Sequence, residues 1–202
     1  MLGILCTYLY VSDCEVSLMR VITGIARGKR LVTVAGNDIV RPTGEKVKEA
    51  LFSSIQFDIE GRRILDLFAG CGQLGIEALS RGAENATFVD CNDASLKAVK
   101  QNLESTGLAD KALVHKSDYA TFALRCTQKY DIAFLDPPYK AGILEDAVLK
   151  IIPLMSDFGK IFCEHPVELK LPEKIDSFKV TKVYRYGKTL ITVYKKDVTD
   201  NE

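Results

Sequence analysis

Asp66-Leu67-Phe68-Ala69-Gly70-Cys71-Gly72-Gln73-Leu74-Gly75 is the stretch that decides the fold. Gly70, Gly72 and Gly75 stand in the G-x-G-x-x-G form, after a β-rich apolar run at Arg63–Phe68 and before a helical pattern at Gln73–Arg81. Glycines at a strand-to-helix turn let the backbone bend tightly and approach a ligand closely. Outward from this loop the alternation continues. Ala86–Asp90, Ala112–Lys116, Tyr130–Asp136 and Lys160–Glu164 read as strands, and Ala94–Ser105, Asp118–Cys126 and Ile143–Met155 as helices, with Asp93 as N-cap of the first of these helices. Such alternation means βαβ units and a parallel sheet covered on both faces. Phe178–Arg185 and Thr189–Lys195 flank Tyr186-Gly187-Lys188 and read instead as an antiparallel hairpin. The expected fold is α/β: a Rossmann-like, seven-stranded, mostly parallel sheet with a C-terminal antiparallel hairpin.

A small β-hairpin and a helix precede this core. Arg20–Gly24 and Arg30–Val34 alternate around Ile25–Lys29, and Thr43 can cap a helix to about Gln56 with Val47, Ala50, Leu51, Ser54 and Ile55 on one face. The chain thus divides into 1–18, a basic hairpin and helix at 19–58, a core at 59–196 and a tail at 197–202. The first eighteen residues are expected to be a start-site artefact or a loosely ordered arm, because Met19 is the more natural beginning and no secretory pattern is present.

The 202 residues are 47% hydrophobic and 27% charged, which excludes a mainly disordered, collagen-like or coiled-coil chain. No apolar run reaches the length of a membrane-spanning helix. Six cysteines lack any Cys-x-x-Cys pair and only His115 and His165 accompany them, so zinc spacing is absent and reduced, buried thiols are expected. Either histidine is more often structural than catalytic. The 27 basic and 27 acidic residues balance, yet Arg20 to Lys48 holds seven basic against two acidic residues, a net +5. A basic hairpin on a mildly acidic core is a footprint for a polyanion.

Asp90 lies twenty residues past Gly70 at a strand end, where an acid accepts both hydroxyls of an adenosine ribose. Asp66 places a second carboxylate before the glycines. A dinucleotide's pyrophosphate wants no anion there. S-adenosylmethionine carries ammonium and sulfonium charges and no phosphate, so it is the preferred cofactor over NAD. Asp118 either binds the adenine amine or caps a helix, and the two are compatible.

Asp136-Pro137-Pro138-Tyr139 ends the fourth strand of the core at the carboxyl edge, where open α/β sheets bind ligands. The two prolines fix the backbone, so the Asp136 carboxylate and Pro137 carbonyl can converge on an NH₂ group, while Tyr139 stacks a base. The target is a planar exocyclic amine held beside a methyl donor, without a metal. Asp136 either takes the proton or orients the amine.

On these residues the chain resembles a class I S-adenosylmethionine-dependent methyltransferase, and more narrowly the bacterial 16S ribosomal RNA guanine-N2 methyltransferase family. The likeness is carried by Met19–Gly24, Gly28–Leu31, Arg41-Pro42-Thr43, Val47–Phe52, Leu65–Ala83, Phe88-Val89-Asp90 and Asp136–Tyr139, over Met19 to about Lys196. Residues 1–18 and the Cys71-Gly72-Gln73 triplet depart from the family pattern. The resemblance implies a donor site of Asp66, Phe68, Ala69, Gly70, Gly72, Gly75, Asp90, Cys91, Asn92, Asp118 and Tyr119. Asp136, Pro137, Pro138 and Tyr139 would hold a flipped guanine amine. Arg20, Arg27, Lys29, Arg30 and Arg41 would meet phosphates of 16S rRNA, in the small subunit or an assembly intermediate. A cytoplasmic monomer is expected. The rival readings are a DNA adenine-N6 methyltransferase, an NAD-dependent oxidoreductase and a non-enzymatic RNA-binding module.

Overall fold

The computed structural model describes residues 19–33, 42–138 and 143–197. Its elements run α1 (Pro42–Ser54), β1 (Arg63–Leu67), α2 (Gln73–Ser80), β2 (Asn85–Asp90), α3 (Asp93–Thr106), β3 (Ala112–Lys116), α4 (Tyr119–Arg125), β4 (Tyr130–Leu135), α5 (Ile143–Ile151), β5 (Met155–Pro166), β6 (Lys174–Ile175), β7 (Phe178–Tyr186) and β8 (Thr189–Lys196). One sheet holds every strand in the order β3-β2-β1-β4-β5-β8-β7-β6. Strands β1 to β5 pair in parallel, and β8, β7 and β6 add antiparallel. The seven expected strands are present. The eighth, β6, is two residues at the edge, too short for any periodicity to announce.

Each central strand is apolar on both faces because both are covered. On one face Ile64, Phe88, Phe134 and Phe162 pack against α1 (Leu51, Phe52), α2 and the N-terminal segment (Met19, Val21, Leu31). On the other, Leu65, Leu67, Ala133 and Ile161 meet Phe122 of α4 and Leu144, Val148 and Ile151 of α5. The strand order reverses between β1 and β4, which makes their carboxyl ends the switch point where such sheets bind ligands.

Several boundaries moved for local reasons. Asn92, not Asp93, caps α3: its side chain accepts from the amides of Ala94 (2.8 Å) and Ser95 (3.4 Å). Pro153 cuts the helix expected to reach Met155, so α5 ends at Ile151 in a 3₁₀ turn, and β5 starts at Met155 and runs twelve residues. The expected N-terminal hairpin reduces to a single bridge, Arg20 to Arg30, around a turn. The amides of Val21, Gly28 and Leu31 bond across this turn, to Lys29 O (3.0 Å), Val21 O (2.8 Å) and Met19 O (2.8 Å), and others are spent elsewhere. Ile22 and Thr23 donate to the Glu77 carboxylate (2.7 and 3.0 Å), Ala26 to Ser80 Oγ (3.0 Å) and Val32 to Asn102 Oδ1 (2.7 Å). Buried polar side chains of α2 and α3 therefore take the amides that the short pairing leaves over.

Candidate functional site: the carboxyl edge of the parallel sheet

The glycine loop leaves β1 through three left-handed residues. Phe68 has φ +69°, Gly70 +54° and Gly72 +80°. For phenylalanine this conformation costs about 1–3 kcal/mol and persists only where surroundings enforce it. Here the Phe68 and Ala69 amides both donate to Val89 O at 3.0 Å, and the Phe68 ring packs on Tyr119 at 5.5 Å. Asp90 clamps the loop: Oδ2 accepts from Gly70 N at 2.9 Å and Oδ1 from Asn92 N at 2.8 Å. Each oxygen keeps a lone pair for a further donor.

The three glycines do different work. A Cβ on Gly70 would meet nothing within 4 Å, so this backbone stands open to a ligand. A Cβ on Gly75 would lie 2.3 Å from the buried Phe88 ring. Gly75, expected among the donor-binding residues, is buried and gives its amide to Asp66 Oδ2 at 2.8 Å. Its structural role is to let α2 sit against β2.

Asp66 is 3% exposed, and burial pushes its carboxyl up to about 7, with the charges of Asp136 and Asp90 adding to the rise. Asp136 also stands above the usual carboxylate range because of burial. A third acid completes the group. Glu164, near the end of β5, is raised by burial and by the Asp136 charge. Sequence reading passed over Glu164. Its only signal was one acid inside the apolar run Ile161-Phe162-Cys163 on a central strand. Asp66, Phe134 and Phe162 lie in register across β1, β4 and β5, and the strand period of two puts Asp136 and Glu164 on that same face. Three crowded carboxyls, each biased toward its neutral form, make an environment that a cation would relieve. S-adenosylmethionine fits this donor set: it brings positive charge to the acids and no phosphate to a loop guarded by them.

The remaining expected residues fall around this edge. Asp118 is exposed and caps α4 through the amides of Ala120 (3.1 Å) and Thr121 (2.9 Å), and these bonds hold its carboxyl below its ordinary range. Tyr119 donates its hydroxyl to Asp146 at 2.8 Å. Cys91 is exposed, against the expectation of buried thiols, while Cys163 is buried; all four described thiols are free. Pro137 is buried and Pro138 exposed, and Tyr139 lies outside the described residues. His165 is buried with Nε2 2.8 Å from Thr192 Oγ1, a structural histidine.

On the basic side, Arg20, Arg27, Lys29 and Arg30 are exposed, and Arg41 lies outside the described residues. Lys48 does not belong with them. It is 2% exposed, and its ammonium donates to Arg20 O at 2.8 Å. The basic surface is smaller than the sequence count by that charge. Sequence reading also missed Glu77 and Asn102, both 0% exposed. Asn102 Nδ2 donates to Val32 O and to Cys71 O, each at 2.9 Å, so one side chain holds both the N-terminal segment and the glycine loop.

Comparison with known proteins agrees with this geometry. The family model described as conserved hypothetical protein 95 matches residues 19–195. YlbH of Bacillus subtilis, provisionally named an rRNA methyltransferase, is 43% identical over 185 residues, covering 88% of this chain and 99% of that one. Ribosomal RNA small subunit methyltransferase D of Escherichia coli is 32% identical over 181 residues, 89% and 90% of the two chains. Among solved structures, the E. coli protein yhhF, provisionally named a methyltransferase, superposes with TM-score 0.80 at 31% identity, over 89% of this chain and 98% of that one. The T. thermophilus 16S rRNA N2 G1207 methyltransferase, solved with AdoMet and guanosine, does so with TM-score 0.63 at 27% identity, over 81% and 44%. With its glycine loop, its acids and its Asp-Pro-Pro turn gathered at one sheet edge, the chain belongs to the conserved hypothetical protein 95 family, the family of ribosomal RNA small subunit methyltransferase D.

Proposed function

We propose that this protein transfers a methyl group from S-adenosylmethionine to the exocyclic N2 of a guanine in 16S rRNA. The observation that carries the reading is the Asp136-Pro137-Pro138 turn standing beside Asp66 and the glycine loop, at the switch point of a methyltransferase-family sheet. When bound, the cofactor supplies an electrophilic methyl on a positively charged sulfur. The chain's own residues bind and orient. The open face at Gly70 admits the donor, Asp90 takes the ribose hydroxyls on its spare lone pairs, and Asp118 reaches the adenine amine. Asp66 and its neighbouring acids meet the positive charge.

The guanine amine is a poor nucleophile because its lone pair is delocalised into the ring. Asp136 and the Pro137 carbonyl hold its protons and turn that lone pair toward the methyl; good orientation of two reactants is worth about 7–11 kcal/mol. The raised proton affinity of Asp136 suits it to take the proton the amine must lose, since a base works best near the operating pH. Tyr139 stacks the flipped base. Arg20, Arg27, Lys29, Arg30 and Arg41 meet phosphates around it. The substrate is the small subunit or an assembly intermediate, and the protein works as a cytoplasmic monomer.

Small subunits from cells lacking the protein, incubated with tritiated S-adenosylmethionine, are expected to gain N2-methylguanine in 16S rRNA, while duplex DNA stays unlabelled. Asp136→Ala is expected to abolish transfer and keep RNA binding. Label in DNA adenine would establish the rival methyltransferase. Thermal stabilisation by NAD and not by S-adenosylhomocysteine would establish the dinucleotide reading.

A further inference from the structure

Asp136 directly follows β4, and Glu164 lies near the end of the neighbouring parallel strand β5. Leu135 stands opposite Cys163 in the β4–β5 register, so the next residue on each strand is an acid. Paired strands lie about 4.8 Å apart, and both acids follow residues of one sheet face. Both are half-buried, and among the described residues no hydrogen-bond donor reaches either carboxylate. Asp66 differs, because Gly75 N–H already occupies it. Two adjoining, partly desolvated carboxylates without donors are costly unless a ligand brings donors to both.

A guanine does so. Its Watson–Crick edge offers the N2 amine and, beside it, N1–H. Adenine offers an amine beside a bare N1 acceptor. A carboxylate and a carbonyl that grip one amine serve either base, so the Asp136 turn alone does not distinguish them. An acceptor next to it does. Resting on the guanine-N2 reading above, we propose that Glu164 determines base specificity: its carboxylate accepts the guanine N1–H while Asp136 accepts from the N2 amine. With the donor's positive charge beside these acids, Glu164 is held ionised. A base with a lone pair at N1 then leaves its carboxylate facing another acceptor, and a buried polar group without its partner rejects the wrong ligand strongly. The geometry also accounts for an acid on a central strand, where neither packing nor an ion pair calls for one.

The test uses small subunits reconstituted with guanine or 2-aminopurine at the target position. 2-Aminopurine keeps the N2 amine and replaces N1–H by a lone pair. The unaltered protein is expected to favour guanine by about a hundredfold or more in kcat/KM, the discrimination that a lost partner in a polar site produces. Glu164→Gln is nearly isosteric and can turn an N–H toward a bare N1. It is expected to narrow the ratio about tenfold, the worth of one such hydrogen bond, by losing rate on guanine and gaining it on 2-aminopurine. Equal loss on both bases, with the ratio preserved, would overturn the proposal and leave Glu164 a structural acid. Parity of the two bases in the unaltered protein would overturn it too, whether or not the variant folds. No transfer to guanine at all is a different result, and it would remove the function itself.

Discussion

Gly75→Ala and Gly70→Ala should fail in opposite ways, although both residues belong to one motif. A Cβ on Gly75 would stand 2.3 Å from Phe88 Cε1, 2.7 Å from Cζ and 3.1 Å from Asp66 Oδ2. Carbon atoms pack best at about 3.5–4.0 Å, so the ring or the helix must retreat by about 1 Å. Phe88 is 0% exposed and in a central strand, so it has nowhere to swing. Overpacking of this kind costs about 1–3 kcal/mol. At about 2–4 °C per kcal/mol for a chain of this size, Tm should fall by about 2–12 °C. At Gly70 no atom lies within 4 Å of the added carbon, and only φ +54° opposes it. That conformation costs alanine about 1–2 kcal/mol, but the new methyl projects beside the Asp90 clamp, where the donor ribose is to lie. Gly70→Ala should therefore lose at least about tenfold in S-adenosylmethionine affinity, about 1.4 kcal/mol, in addition to a fall in Tm of about 2–8 °C, whereas Gly75→Ala acts through stability. Thermal scans and calorimetry on both variants decide the matter. An unchanged melting temperature in Gly75→Ala, or native donor affinity in Gly70→Ala, would refute the division of labour.

Three further outcomes follow from the same contacts. Glu77→Ala strips the Ile22 and Thr23 amides and the Arg81 guanidinium (2.8 Å) of their shared partner, and should cost about 3–5 kcal/mol in urea unfolding with faster tryptic cutting at Arg27 and Lys29. Asn102→Ala removes bonds to Val32 N, Val32 O and Cys71 O and should cost about 1–3 kcal/mol; because Cys71 is in the glycine loop, donor affinity should fall with stability, and a pure stability loss would contradict the linkage. The Asp66 carboxyl, raised from 3.8 to about 7, holds a proton in the ligand-free fold that a cationic ligand must displace, so S-adenosylmethionine affinity should rise with pH up to about 7 and then level, with proton release on binding; a flat profile would sink this. By the same sign, the ligand-free protein binds more protons folded than unfolded across that window and should lose stability as pH climbs through it, which pH-dependent urea unfolding measures.

The parallel core was legible because strands buried on both faces are continuous apolar runs, as at Ile132–Leu135 and Ile161–Cys163. The switch point was legible because glycines and Asp-Pro-Pro sit where such runs stop. What the sequence hid depends on partners far along the chain. The N-terminal segment alternates like a hairpin, yet four of its amides go to Glu77, Ser80 and Asn102, up to 70 residues away, and no local period encodes that. Lys48 counts as surface charge in a composition and is a buried donor in the fold. Glu164 gains meaning only once the β4–β5 register sets it beside Asp136. Left-handed Phe68 is equally silent, because phenylalanine gives no conformational warning of the kind glycine does.

On the proposed function, these hidden contacts let one compact arm aim a large RNA at a small donor site. The exposed arginines at 20, 27 and 30 ride on a segment whose sulfur at Met19 lies 3.4 Å from Cys71 Sγ and whose carbonyl at Val32 shares Asn102 with Cys71 O. Lys48, in the Val47–Phe52 run that narrows the resemblance, fixes the carbonyl of Arg20 from α1. A phosphate pulling on the arm therefore pulls on the glycine loop. Rigid attachment of this kind converts phosphate contacts, which carry no base information of their own, into a fixed distance between the bound strand and the methyl donor. On the two proposals above, specificity for one guanine then needs only shape around the arm and two acceptors at the sheet edge, with buried Lys48 tying exposed Arg20 to α1 so that both tasks share one frame.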